Sequence, residues 1–168
     1  MIFYPNLYCK NVMAITIDVL QKNNIKGLIL DVDNTLIDID RNMDPGVKDW
    51  ICELKNNNIK LCIVSNSNKI DKVKKVSETL DIPYFYFAKK PFKSGFLKAK
   101  DLMKLECENI AAVGDQIMTD VMGANRCKMF SILVEPISEK DIFITKIKRP
   151  IEKLIINKYL SKLKKEKV

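Results

Sequence analysis

The 168-residue chain contains no histidine. That absence excludes an imidazole general base, a histidine metal ligand and any Ser-His-Asp or Cys-His nucleophile system. Catalysis must fall to carboxylates, Lys, Ser, Thr or Cys. Glycine (5) and proline (6) are scarce, too few for a linker-rich or repetitive chain. The five cysteines, Cys9, Cys52, Cys62, Cys107 and Cys127, are odd in number, widely spaced and form no CxxC pair. They suggest neither a disulfide framework nor a zinc site, and a reducing cytoplasm is the expected setting. Residues 1–10 lack a basic stretch followed by an apolar run, and no uncharged apolar run approaches the roughly 18 residues of a spanning helix. Neither export nor a membrane span is expected.

What is present is a globular balance, 47% hydrophobic and 30% charged, on a length that suits one domain over residues 1–168. The net charge of +8 is uneven. From Lys140 to Val168 the chain carries ten basic and three acidic residues, so this segment holds +7 of it. Any attraction to a polyanion is expected first at this end, within a basic helix over about residues 150–167.

Five short apolar runs read as buried strands: 27–32, 60–65, 84–88, 110–114 and 129–134. Between them lie stretches with helical periodicity. Pro45 to Asn58 aligns Val47, Trp50, Ile51 and Leu54; Asn68 to Leu80 aligns Ile70, Val73, Val76 and Leu80; Ser94 to Leu105 aligns Phe96, Leu97 and Leu102. A helix over about Thr16–Asn23 precedes the first strand, and 139–148 and 150–167 follow the last. The alternation predicts an α/β fold, a Rossmann-like parallel five-stranded sheet with helices on both faces. Ligands of such sheets sit at the carboxyl ends of the strands.

Those ends carry a distinctive set of polar residues. Strand one runs into Asp31-Val32-Asp33-Asn34-Thr35, strand two into Ser65-Asn66, strand three into Lys89-Lys90, and strand four into Gly114-Asp115 with Asp120 five residues on. Carboxylates from Asp31, Asp33 and Asp115 in one crevice repel one another unless a cation lies between them. An all-oxygen donor set points to a hard ion such as Mg²⁺. Singly, each element is a common turn, cap or surface charge; together and in order they are not.

In order, the four elements resemble the motifs of the haloacid dehalogenase-like (HAD) phosphatases: DxDx[TV], a strand-ending Ser or Thr, a Lys, and GDxxxxD. The resemblance implies Asp31 as nucleophile, forming an aspartyl-phosphate, and Asp33 as the acid and base that serves the leaving group and then the water. It further implies Ser65, Lys90 and backbone groups beside Asn66 as phosphate ligands. Asp31, the Asp33 carbonyl and Asp115 would hold Mg²⁺, with Asp120 and Thr35 in support. Longer stretches, including residues 25–36, Val64-Ser65-Asn66, Ala88-Lys89-Lys90-Pro91, Val113-Gly114-Asp115-Gln116 and Pro5-Asn6-Leu7-Tyr8, resemble the YqeG-type phosphatases. These in turn are similar to the mitochondrial phosphatidylglycerophosphate phosphatases.

Only 31 residues separate Asp33 from Ser65, and 24 separate Ser65 from Lys90. Neither gap holds a cap domain, so the site is expected to be open and its substrate bulky. A phospholipid headgroup is the leading expectation, with a phosphoprotein or nucleotide as the alternative. From Pro150, Ile151, Leu154, Ile155, Lys158 and Tyr159 alternate with Lys153, Asn157, Lys162, Lys164 and Lys165, an apolar stripe beside a cationic face that reads either as a surface helix on anionic lipid or as a helix docked on the sheet. RNA or ribosome binding is supported by charge alone. Phe3, Tyr4 and Tyr8 read as packing residues. Nothing in the sequence specifies an oligomeric state.

Overall fold

The structure, a computed structural model, describes residues 2–138, 150 and 154–161. Six parallel strands form one sheet: β1 (Leu7–Cys9), β2 (Gly27–Leu30), β3 (Lys60–Val64), β4 (Tyr84–Phe85), β5 (Ile110–Gly114) and β6 (Phe130–Val134), in the spatial order β1-β6-β5-β2-β3-β4. The α/β architecture is as expected, with one strand more than the five read from the sequence. The extra strand, β1, is a half-buried edge of three residues pairing with β6, too short and too little apolar to register as a core run. Residues 84–88 form a strand only over Tyr84–Phe85, because the chain turns at Phe87, whose φ is 48°.

Helices α1 (Ile17–Lys22), α2 (Pro45–Asn56), α3 (Ile70–Leu80), α4 (Lys93–Met103) and α5 (Met122–Arg126) cover the sheet. Alternate residues of each strand point to opposite faces. Leu28, Leu30, Leu61, Ile63, Ala111 and Val113 share one core cluster with Leu20, Trp50, Leu54 and Val76, and so with α1, α2 and α3. Ile29, Cys62, Val64 and Ala112 share another with Phe96, Ala99, Met103 and Ala124 of α4 and α5. The α4 stripe differs from the expected one. Leu97 and Leu102 are exposed, while Gly95 and Ala99 are buried beside Phe96 and Met103. Ile70, the first residue of α3, is likewise exposed.

The spans 139–149 and 162–168, and with them the expected helix 139–148 and Lys162, Lys164 and Lys165, lie outside the described residues, as do Ile151 and Lys153. Residues 154–161 are helical. Their apolar side packs on the domain: Tyr159 is buried against Tyr4, with ring centroids 5.8 Å apart. Ile155 and Ile156 pack on Ile117, Val121 and Leu133, as do Phe3 and Tyr8.

Strand order reverses at β2, whose neighbours β3 and β5 are reached by crossovers running in opposite directions. The loops leaving β2 and β5 therefore part and open a crevice at the carboxyl edge. No domain is inserted there. Between β2 and β3 the only helix is α2, and between β3 and α4 there are only α3 and β4.

Candidate active site

The loop after β2 is a tight turn closed on one carbonyl. The backbone N–H groups of Leu36 and Ile37 donate to Val32 O at 3.0 and 3.2 Å, and Asn34 takes a left-handed φ of 57°. Asn34 is fastened from the far side by the chain after β6, since Ile137 N donates to its carbonyl and Ser138 N to its Oδ1. Asp31, next to the strand end, is buried, whereas the Asp33 side chain is 42% exposed. The buried Thr35 Oγ1 has no hydrogen-bond partner, so Thr35 shapes the turn through its backbone N–H, which donates to Val32 O.

Lys90 reaches this turn from the loop after β4. Its Nζ lies 2.6 Å from Asp31 Oδ1 and 2.6 Å from Asp120 Oδ1, with all three side chains almost wholly buried. Asn66 sets the height of this lysine by clamping its peptide from both sides. Lys90 N donates to Asn66 Oδ1 at 2.6 Å, and Asn66 Nδ2 donates to Lys90 O at 3.0 Å. The Asn66 side chain is thereby committed to Lys90. Only its backbone remains for the phosphate role expected of it. Ser65 is fully buried, and its Oγ accepts from Ser67 N at 3.1 Å.

Asp120 lies in a π-helical turn, Ile117–Val121, that follows Gly114-Asp115. Its Oδ2 accepts from Thr119 Oγ1 at 3.2 Å and from Gln116 N at 3.3 Å. The carboxylate packs directly on Gly114. A Cβ there would stand 2.2 Å from Asp120 Cγ, so this glycine is required by close approach rather than by its φ.

One ligand oxygen each from Asp31, Asp115 and Asp120 falls within a 4.8 Å group, and all three residues are buried. Asp120, expected only in support, is therefore a full member of the carboxylate cluster. The Asp33 side chain is not in it. Asp33 Oδ1 instead accepts from Lys72 Nζ of α3, a half-exposed contact 39 residues apart in sequence that no motif announced.

The Asp31 carboxyl is raised to about 7 as the net of opposing effects, of which burial, raising it, is the largest. Within that net value Lys90 lowers it, and Asp120 and Asp33 raise it. For Lys90, burial alone would lower the pKa, but the carboxylates of Asp120 and Asp31 outweigh it and hold the ammonium well above its usual range. Three carboxylates thus face one ammonium, an excess of negative charge. All the donors are oxygens, and these residues fit a hard divalent cation.

The matching family model, described as "Mitochondrial PGP phosphatase", covers residues 1–138. The chain belongs to this family. A Bacillus subtilis (strain 168) protein named "Probable phosphatase YqeG" is 42% identical over 156 residues, which is 92% of this chain and 90% of that protein. Two solved structures share the fold of this phosphatase. One, an uncharacterized protein from Listeria monocytogenes serotype 4b, is 17% identical with a TM-score of 0.57, over 70% of this chain and 85% of that one. The other, a candidate 3-deoxy-D-manno-octulosonate 8-phosphate phosphatase from Vibrio cholerae, is 14% identical with a TM-score of 0.50, over 69% and 78%. The enzyme is a phosphoric monoester hydrolase, and its four polar strand-end elements meet at the carboxyl-edge crevice. Among the described residues no helix is long and apolar enough to cross a membrane.

Proposed function

We propose that this phosphatase hydrolyses phosphatidylglycerophosphate to phosphatidylglycerol through an aspartyl-phosphate on Asp31, with Mg²⁺ held by Asp31, Asp115, Asp120 and the Asp33 carbonyl. The observation that carries the reading is Lys90 set between Asp31 and Asp120 in the buried carboxylate cluster. A bound Mg²⁺ supplies charge neutralisation, for the phosphoryl oxygens and for Asp31.

Asp31 attacks phosphorus, the bond to the leaving oxygen breaks, and Asp33 gives that oxygen its proton. Asp33, now a carboxylate beside Lys72, takes a proton from water as the water oxygen attacks the phosphoryl group. Inorganic phosphate leaves and Asp31 is regenerated. Lys90 offsets charge on Asp31 and on the phosphoryl oxygens throughout. Ser65 and the backbone beside Asn66 orient the phosphoryl group.

The lipid substrate is supported by the description of the family and by an uncapped mouth. A site with no lid of its own suits a substrate presented from a surface, here the cytoplasmic face of a membrane. Phosphate release should be measured from phosphatidylglycerophosphate in detergent micelles, a nucleoside monophosphate and a phosphopeptide, with Mg²⁺ or a chelator. The lipid should lead by more than about tenfold in kcat/KM, and chelation should abolish release. A lead for nucleotide or phosphopeptide would transfer the same chemistry to that substrate.

A further inference from the structure

The loop that buries Lys90 in the catalytic crevice turns three aromatic side chains outward. Tyr86, Phe87 and Phe92 are 44%, 54% and 62% exposed, while Ala88 and Lys90 between them are buried. Single exposed apolar residues are ordinary; three aromatics within seven residues, flanking a catalytic lysine, are not scattered. The loop is held in this shape. Phe87 and Lys89 both take left-handed φ values, 48° and 55°, which bulky side chains disfavour. Phe87 N donates to Ser67 O, Ala88 N to Ser65 O and Phe92 N to Lys89 O, all at about 3 Å, in addition to the Asn66 clamp.

Charge decides what covers the patch. From Ile82 to Lys100 the chain has five lysines, Lys89, Lys90, Lys93, Lys98 and Lys100, and no Asp or Glu. Lys89 stands over the Phe87 ring, 5.1 Å from its centroid. Lys69 and Ile70, both exposed, lie in the adjoining loop and first turn of α3. Aromatics with lysines beside them match the interface of a bilayer with anionic headgroups. On helix 154–161, Tyr159 is buried and Ile155 and Ile156 are half-buried against the domain, while Leu154 and Leu160 are exposed but lack the aromatic rings that favour a bilayer interface.

We propose that Tyr86, Phe87 and Phe92, with Lys69, Lys89 and Lys93, form the surface by which the enzyme docks on an anionic bilayer, mouth downward, so that a headgroup enters beside Lys90. This deepens the lipid-phosphatase reading and rests on it for the identity of the headgroup, not for the docking itself.

The test measures docking and hydrolysis separately, on the full chain, with vesicles of phosphatidylglycerol and phosphatidylcholine. Wild type should sediment with the anionic vesicles. The double variant Phe87→Ser, Phe92→Ser should bind about a hundredfold more weakly, about tenfold per ring. Lys89→Gln and Lys93→Gln should each cost about fivefold at low salt and little near 1 M. Turnover of a soluble aryl phosphate and the melting temperature should stay close to wild type. If soluble turnover also falls, Phe92→Trp replaces the double variant: quenching of that indole by bromine-labelled lipid supports docking, and its absence overturns it. Wild type that ignores phosphatidylglycerol vesicles, or a double variant that binds them normally, overturns the proposal. So does a double variant that instead dissolves a concentration-dependent dimer. Intact docking without hydrolysis of phosphatidylglycerophosphate in micelles overturns the substrate reading and leaves the surface standing. Hydrolysis in micelles with vesicle binding unaffected by the variants does the reverse.

Discussion

A single methyl group at Gly114 should disable the enzyme from behind its catalytic lysine. The Cβ of Gly114→Ala would lie 2.2 Å from Asp120 Cγ and 2.4 Å from its Oδ2, against an ordinary carbon–carbon contact of about 3.5 Å. Asp120 must retreat by about 1.3 Å. Its 2.6 Å contact with Lys90 would then open to about 3.9 Å, beyond hydrogen-bonding distance. The ammonium loses one of two anchors, and displacement of a catalytic group by about 1 Å costs on the order of a hundredfold in rate. Breaking one side of a buried ion pair costs about 3–5 kcal/mol of stability, so the melting temperature should fall too. The assay is kcat/KM on an aryl phosphate for Gly114→Ala, Asp120→Ala and the double variant. If the methyl acts through Asp120, it should cost little more once that carboxylate is gone. A Gly114→Ala enzyme within threefold of wild type, or two losses that simply multiply, would refute the reasoning.

Asp31→Asn should abolish turnover and leave the fold intact, because the amide is nearly isosteric but cannot attack phosphorus; activity within tenfold of wild type would remove Asp31 as nucleophile. Asp33→Asn should slow alkyl phosphates far more than aryl ones, since only poor leaving groups need the proton, and equal losses would assign leaving-group protonation elsewhere. The Asp31 pKa of about 7, against an ordinary 3.8, means the metal-free native state holds a proton that the unfolded chain has shed between these values. This group's stability contribution is therefore present at low pH and lost as pH rises through about 7. Metal must displace the same proton, so Mg²⁺ affinity should weaken by up to about tenfold per pH unit below 7; calorimetric titration showing no pH dependence would contradict the assignment.

The core of the fold was legible because buried parallel strands are continuous apolar runs, and their polar termini carry the chemistry in a fixed order. Asp31, Ser65 and Asp115 sit at such termini and Lys90 in the loop after β4, and the crossover topology brings them to one edge. What escaped the sequence lay between elements. Asn66 clamping the Lys90 peptide, and Lys72 holding Asp33, are contacts across 24 and 39 residues, with no periodicity to reveal them. In α4, size misled the reading. Leu97 and Leu102 suggested a stripe, but Gly95 and Ala99 face the sheet because small residues let the helix approach closely, so the leucines turn outward. The aromatics at 84–87 read as one strand, whereas the left-handed residue at Phe87 ends the strand and exposes the ring.

The central claim is covalent catalysis by Asp31, and trapping the intermediate tests it most directly. Enzyme turning over a phosphomonoester should be quenched in acid and treated with borohydride, which reduces an acyl-phosphate to an alcohol. Peptide mass spectrometry should then find homoserine in place of aspartate at position 31, dependent on substrate and absent from Asp33→Asn protein denatured before substrate is added. Steady phosphate release with Asp31 unmodified, or with the reduced residue at Asp33, Asp115 or Asp120, would contradict the account.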